Sequence, residues 1–433
     1  MQIETTTGLV EGRDTDLDVV AYTGIRYGRL AGGQRFDAVA APTKHDSPQD
    51  LRPRPAVFPQ LPSRLSGVMG HEVEKHPQEE DAFLLDVWAP RGETGLPVLV
   101  FIHGGAFVSG GGTVGWYEGA RLAAEGRMVV VTVNYRLGPL AHLVVEGAED
   151  PNRPIGDLLA ALHWVRANIA RFGGDPDAIT LGGQSAGGFY SQLLAVLPES
   201  QPLVRRLLLM SSPGIPASSR VRTERLSRAI VDSLEGDDPR CVPVERLLRG
   251  QLPALAALSS LGTIPLGLMP TEGGGVPPWL ADPDEVARRL TVTDLLITYT
   301  RHEGGSFFFA GPERDITPEQ LREIFGDAKE TDDPYAALVD CVTQAMFGEH
   351  ARGLTAASHA AGINAALREF TLPSPMSGVG SGHCLDLPFL FGNRARWAGA
   401  PMLTGIDDTT FESESAALRS AVADLVHGRR LAR

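Results

Sequence analysis

A chain of 433 residues that is 43% hydrophobic and 21% charged has ample material for a large core, which argues against disorder as its main state. Its 53 acidic and 39 basic residues leave a formal charge of −14 with no dense Lys/Arg block, which argues against a nucleic-acid partner. No window approaches the ~18 apolar residues needed to cross a bilayer, so no membrane association is expected. Residues 1–14 have neither a basic n-region nor an apolar h-region, and no secretory signal is expected there. Cys241, Cys341 and Cys384 are far apart and match no ligand spacing, which predicts free thiols in a reducing cytoplasm.

In chain order, Gly8–Gly12 and Val19–Gly24 are short and turn-bounded, predicting antiparallel strands added to one edge of a sheet. Residues 40–80, rich in Pro, His and charge, are expected to form long surface loops. The continuous β-rich run Pro97–Ile102, halted at His103-Gly104-Gly105, has the pattern of a central strand buried on both faces. A second such strand, Met128–Asn134, ends at Tyr135-Arg136-Leu137-Gly138. Apolar residues recur at helical spacing from Asp157 to Phe172, and Gly173-Gly174 stops them. A third strand, Ala178–Leu181, is expected to end in Gly182-Gly183, and an apolar helical run follows over Phe189–Leu197. Residues 216–290 form helices broken by Gly and Pro, with a loop at Gly273-Gly274-Gly275, an insertion suited to capping a site. Another strand lies at Leu295–Tyr299. Strand, helix and strand in this order predict an α/β protein with a mostly parallel central sheet and helices on both faces. One domain over residues 1–433 is expected, since no linker or repeat divides the chain.

Chemistry concentrates at the strand ends. Gly183-Gln184-Ser185-Ala186-Gly187 is Gly-x-Ser-x-Gly placed between a strand and a helix. Alone that motif is often only a turn; in this context it is the elbow that presents a nucleophile, Ser185, at a helix N-terminus. His103-Gly104-Gly105-Ala106-Phe107, 82 residues upstream of Ser185, again follows a buried strand. Its glycines allow the N–H groups of Gly105 and Ala106, with that of Ala186, to face an oxyanion. Such an elbow belongs to the α/β-hydrolase fold, in which the acid and then the base follow the nucleophile. His302, His350, His359, His383 and His427 are candidates for the base. His383, in a Gly-rich loop beside the apolar run Leu387–Phe391, is the best placed to reach across a cleft. Glu303 follows a strand and precedes Gly304, where a carboxylate can orient an imidazole; a surface glutamate is the other reading of those residues.

These motifs, with Glu80–Trp88, Asn134–Gly138 and Trp164–Pro176, make the chain resemble the type-B carboxylesterase family over residues 6–215 and in blocks to about 393. The resemblance implies an ester hydrolase, with His383 as base in its His-x-x-Glu-Leu-Pro-Phe-x-Phe-Gly-Asn segment and Glu303 as acid. It also implies that Ser212 supports the carboxylate, although a loop serine is nearly as good an account. Several positions depart from the family pattern: Arg26 stands for proline, Ala82 for a disulfide cysteine, Ala141-His142 for Gly-Phe, and Asp386 for glutamate. Gln184 stands where the cholinesterase branch has a glutamate for a cationic alcohol, so choline-like substrates are not expected. The chain also ends 40 residues after Asn393, which predicts a more open pocket.

The combined expectation is a serine carboxylesterase acting on neutral esters of small molecules, with no metal or organic cofactor required. Phe107, Phe189, Phe307 and Leu387 are expected to line its pocket, though each would serve as well in the core. The same triad would equally serve an acyltransferase or lactone-forming tailoring enzyme. A non-catalytic recognition domain on this fold is the remote alternative.

Overall fold

A computed structural model describes residues 1–44, 54–148, 151–326 and 331–431. The long apolar runs become the interior strands of a nine-stranded sheet. Numbered in chain order, these are β1 Arg13–Asp14, β2 Val19–Arg26, β3 Leu84–Pro90, β4 Leu96–Ile102, β5 Val129–Val133, β6 Gly174–Gln184, β7 Arg206–Met210, β8 Asp294–Thr300 and β9 Asn364–Phe370. Their spatial order is β9-β8-β7-β6-β4-β5-β3-β2-β1. Every pairing from β9 to β5 is parallel, and β3, β2 and β1 add antiparallel strands at one edge. This is the α/β-hydrolase arrangement, as the motifs predict.

Alternate residues of one strand feed two different cores. Val98, Val100 and Ile102 pack with Leu158, Leu162 and Val165 of helix α1 (Arg153–Asn168) and with Leu193 of α2 (Ala186–Val196). Leu99 and Phe101 pack on the opposite face, with Leu418, Val422 and Leu425 of the C-terminal helix Asp408–Val426. Burial on both faces explains why the runs are apolar without alternation. Between β7 and β8 lie four further helices: α3 Arg220–Asp232, α4 Val244–Arg249, α5 Gln251–Ala256 and α6 Pro283–Ala287. No helix of the described residues is long and apolar enough to cross a membrane.

Three expectations need correction. Strand β6 does not stop at Gly182-Gly183 but runs through both, because Leu208 and Leu209 of β7 pair with them on one side and Phe101 and Ile102 of β4 on the other. Glycine weakens a strand by its entropy and lack of a side chain to pack, and the ladders on both sides offset that here. Helix α1 starts at Arg153, before the expected Asp157, since Pro154 suits the first turn, where no N–H is needed. Of the N-terminal segments, Gly8–Glu11 pairs with Gln2–Thr5 in a separate two-stranded sheet, and only the second joins the main one.

Residues 40–80 are not all surface loop. Positions 45–53 lie outside the described residues, but Pro55–Gln60 are buried without joining the sheet. Side-chain amides hold them instead. Asn134 Nδ2 donates to the carbonyls of Ala56 and Ala82, and Gln60 Nε2 to those of Phe58 and Gly110, at 2.7–3.2 Å. The Asn134–Gly138 motif therefore braces the site from below: Tyr135 donates to the His103 carbonyl at 2.9 Å, and Arg136 pairs with Asp157 at 2.6 Å, both fully buried.

Candidate active site

The C-terminal ends of β4, β6 and β8 open onto one cavity of about 330 Å³, the location expected for ligands in an open α/β sheet. Ser185 caps β6 with φ 55° and ψ −121°, a conformation that costs an L-residue energy and persists only because its surroundings enforce it. Its N–H donates to the Met210 carbonyl at 2.9 Å, anchoring the turn to β7. A Cβ on Gly187 would overlap the Ile102 carbonyl, so the glycine lets helix α2 begin hard against β4. The Ser185 side chain remains partly exposed, facing the cavity.

The loop after β4 wraps over this turn. Gly105 and Ala106 have φ of 123° and 53°, and both line the cavity. A side chain on Gly105 would collide with the Ser109 carbonyl. Among the described residues, the N–H groups of Gly105, Ala106 and Ala186 donate to no protein acceptor. Unpaired amides beside a strained serine are donors available to a developing oxyanion.

His383 reaches the cavity from a loop that β8 and β9 hold in place. Ser381 Oγ donates to the Phe370 carbonyl at 2.7 Å, Ser381 N–H to His302 Nδ1 at 3.0 Å, and Ser306 Oγ to the His383 carbonyl at 2.9 Å. His302 thus ties the loop and lies outside the cavity lining. The His383 ring lies between Phe307 and Phe347, each 5.2 Å away, and its Nδ1 is hydrogen-bonded to Glu303 Oε2. Glu303, completely buried, accepts the Thr300 N–H on its other oxygen at 2.8 Å. With Nδ1–H donated to the carboxylate, His383 Nε2 carries the lone pair. That nitrogen meets Gln184 Nε2 at 3.2 Å, and the same amide nitrogen donates to Cys384 Sγ at 3.3 Å.

The other expected site residues divide. Phe307 lines the cavity. Phe107 and Phe189 do not: they pack edge to face at 5.5 Å and are 1% and 2% exposed. Leu387, fully buried, belongs to the core beneath the sheet. Among the described residues, Ser212 makes no hydrogen bond to Glu303 and its buried Oγ has no partner. His142 is buried away from the cavity, its Nδ1 on the Pro151 carbonyl and its Nε2 accepting from Tyr190. Asp386 is fully buried with both oxygens unpartnered, and burial, followed by the nearby Glu303, pushes its pKa up to about 7.

Sequence reasoning missed most of the cavity wall. Leu61–Leu65, Trp116 and Tyr117 supply one side, and Gln251, Leu252, Leu255 and Ala256 of α5 another. Neither segment carries a motif, and only the Gly/Pro-broken character of residues 216–290 hinted at a covering insertion.

Known proteins resemble this chain in sequence and in fold. The sequence profile described as the carboxylesterase family matches residues 1–377. Phenmedipham hydrolase of Pseudarthrobacter oxydans is 32% identical over 353 residues, 76% of this chain and 70% of that protein. Para-nitrobenzyl esterase of Bacillus subtilis (strain 168) is 32% identical over 415 residues, 90% of this chain and 83% of that one. Among solved structures, a thermophilic PNB esterase superposes with a TM-score of 0.82 at 26% identity, covering 100% of this chain and 92% of its own.

Proposed function

We propose, for a chain that belongs to the carboxylesterase family and is a carboxylic ester hydrolase, that hydrolysis proceeds through an acyl-enzyme on Ser185. The observation that carries this reading is the opening of Ser185 and His383 onto one cavity, with the second imidazole nitrogen held by the buried Glu303. The Gln184 amide first releases His383 Nε2, which then takes the Ser185 proton as Oγ attacks the ester carbonyl. The amides of Gly105, Ala106 and Ala186 receive the oxyanion. His383 returns the proton to the departing alcohol, and water repeats the cycle to free the acid. Incubation with a fluorophosphonate should place one covalent label on Ser185, read by mass spectrometry of the digested protein; a label elsewhere would overturn the assignment.

Substrate charge follows from the lining. No Asp or Glu is among the described residues around the cavity, and Glu272 is exposed and outside it. A quaternary ammonium would enter without a counter-charge, and a cation–π contact offsets only ~0.5–2 kcal/mol of its desolvation. The neutral carbon isostere of butyrylcholine should therefore have the higher kcat/KM. A preference of about tenfold or more for the cation would sink this reading.

Two further points support parts of the proposal. Helix α5 contributes four side chains to the cavity, which supports a capping role for residues 216–290 within a single domain. Cys241, Cys341 and Cys384 form no disulfide among the described residues, which supports a reducing, cytoplasmic setting.

A further inference from the structure

We infer that Arg64 makes the cavity selective for esters whose far end carries a carboxylate, in addition to neutral ones. The inference rests on ester hydrolysis at Ser185 and narrows its substrate class. Among the described residues lining the cavity, Arg64 is the one of permanent charge. It also lines an adjoining cavity of about 410 Å³, which shares Leu65, Ser259, Pro265 and Phe307 with the first. Arg64 thus borders both spaces, the first of which also holds Ser185 and His383.

Arg64 makes no hydrogen bond or ion pair among the described residues, while the acids nearest in sequence are already engaged, Glu72 with Lys75 and Glu74 with His71. Glu313 lines the second cavity, whereas no acid is among the described residues lining the first, so an anion is favoured on the Ser185 side. Arg64 keeps an exposed surface, yet desolvation lowers its pKa. That combination is expected of a side chain projecting into a concave space lined by protein rather than into bulk water. A planar guanidinium in such a place, partly stripped of water and given no acceptor, is suited to two parallel hydrogen bonds with a carboxylate. The overall charge of −14 opposes an approaching anion little, since at about 0.15 M salt interactions between exposed charges are largely screened beyond ~8 Å.

The test compares isosteric pairs that differ in charge. On the acyl side the pair is mono-p-nitrophenyl adipate and its terminal amide; on the alcohol side it is 3-(butanoyloxy)benzoate and the corresponding benzamide. In the wild type, the carboxylate member of at least one pair should have a kcat/KM about tenfold or more above its amide. Arg64→Gln should bring that ratio to unity or below, by a loss of kcat/KM on the carboxylate member larger than any loss on its amide or on p-nitrophenyl butyrate, and Arg64→Lys, which keeps the charge and loses the fork, should lie between. The preference should also shrink as salt rises. Amide preference in both wild-type pairs, an unchanged ratio in Arg64→Gln, or an equal loss on p-nitrophenyl butyrate would each overturn the inference. Fluorophosphonate labelling of Ser185 separates the two claims, because it can succeed while Arg64 selectivity fails.

Discussion

Ser185→Ala is expected to lower kcat for a p-nitrophenyl ester by ~10⁵- to 10⁶-fold, leaving the residual rate that binding and oxyanion donors provide without a nucleophile. The substitution removes one oxygen from a residue that is partly exposed to the cavity and already adopts φ 55°. Alanine meets the same backbone strain as serine, and the anchoring N–H to Met210 remains. Far-UV circular dichroism and the unfolding midpoint should therefore match the wild type, since no packed side chain or buried polar partner is lost. A mutant retaining more than about a thousandth of wild-type turnover would require another nucleophile.

What the sequence made legible was the part of the molecule where chemistry and backbone geometry restrict the choice of residue. Strands β4 and β5 stand out because burial on both faces demands unbroken apolar runs, and the elbow at Ser185 because its turn demands glycines at 183 and 187. The Phe107 and Phe189 expectation failed for a related reason. Both sit beside motif residues, but Phe107 has φ 66°, and Phe189, one helical turn beyond Ser185, packs into the core on the α1 and α2 face, where the two rings meet. Proximity in sequence to a catalytic motif says little about which way a side chain leaves the backbone. The wall that does face substrate comes from Leu61–Leu65 and α5, where neither periodicity nor turn chemistry constrains the sequence. Gln184 was legible as a residue type, an amide in place of a carboxylate, whereas its contact with His383 depends on tertiary geometry alone.

Glu303→Gln should lower kcat/KM by ~10³- to 10⁴-fold, less than His383→Ala, which should approach the Ser185→Ala level. The reason lies in how many donors the carboxylate serves. Glu303 Oε1 accepts the Thr300 N–H while Oε2 accepts from His383 Nδ1. Glutamine has one oxygen for these two donors. If that oxygen stays with Thr300, the amide nitrogen faces His383 and forces the proton from Nδ1 to Nε2, leaving no lone pair to take the serine proton. If it turns to His383, a buried backbone N–H loses its acceptor, at a cost of ~1–3 kcal/mol. The pH profile separates this role from simple packing. Burial disfavours a charged His383, the neighbouring Cys384 and Glu303 favour it, and the balance holds its pKa well above the ordinary histidine value. Wild-type kcat/KM should therefore fall on acidification as the imidazole takes up a proton and ceases to be a base. Removing the Glu303 charge takes away one stabiliser of the imidazolium, so the acid limb of Glu303→Gln should move to lower pH even as the plateau drops. A flat wild-type profile from about pH 5 to 8 would count against a histidine base. A Glu303→Gln enzyme keeping more than about a tenth of wild-type kcat/KM, with its acid limb unmoved, would remove Glu303 from the proposed triad.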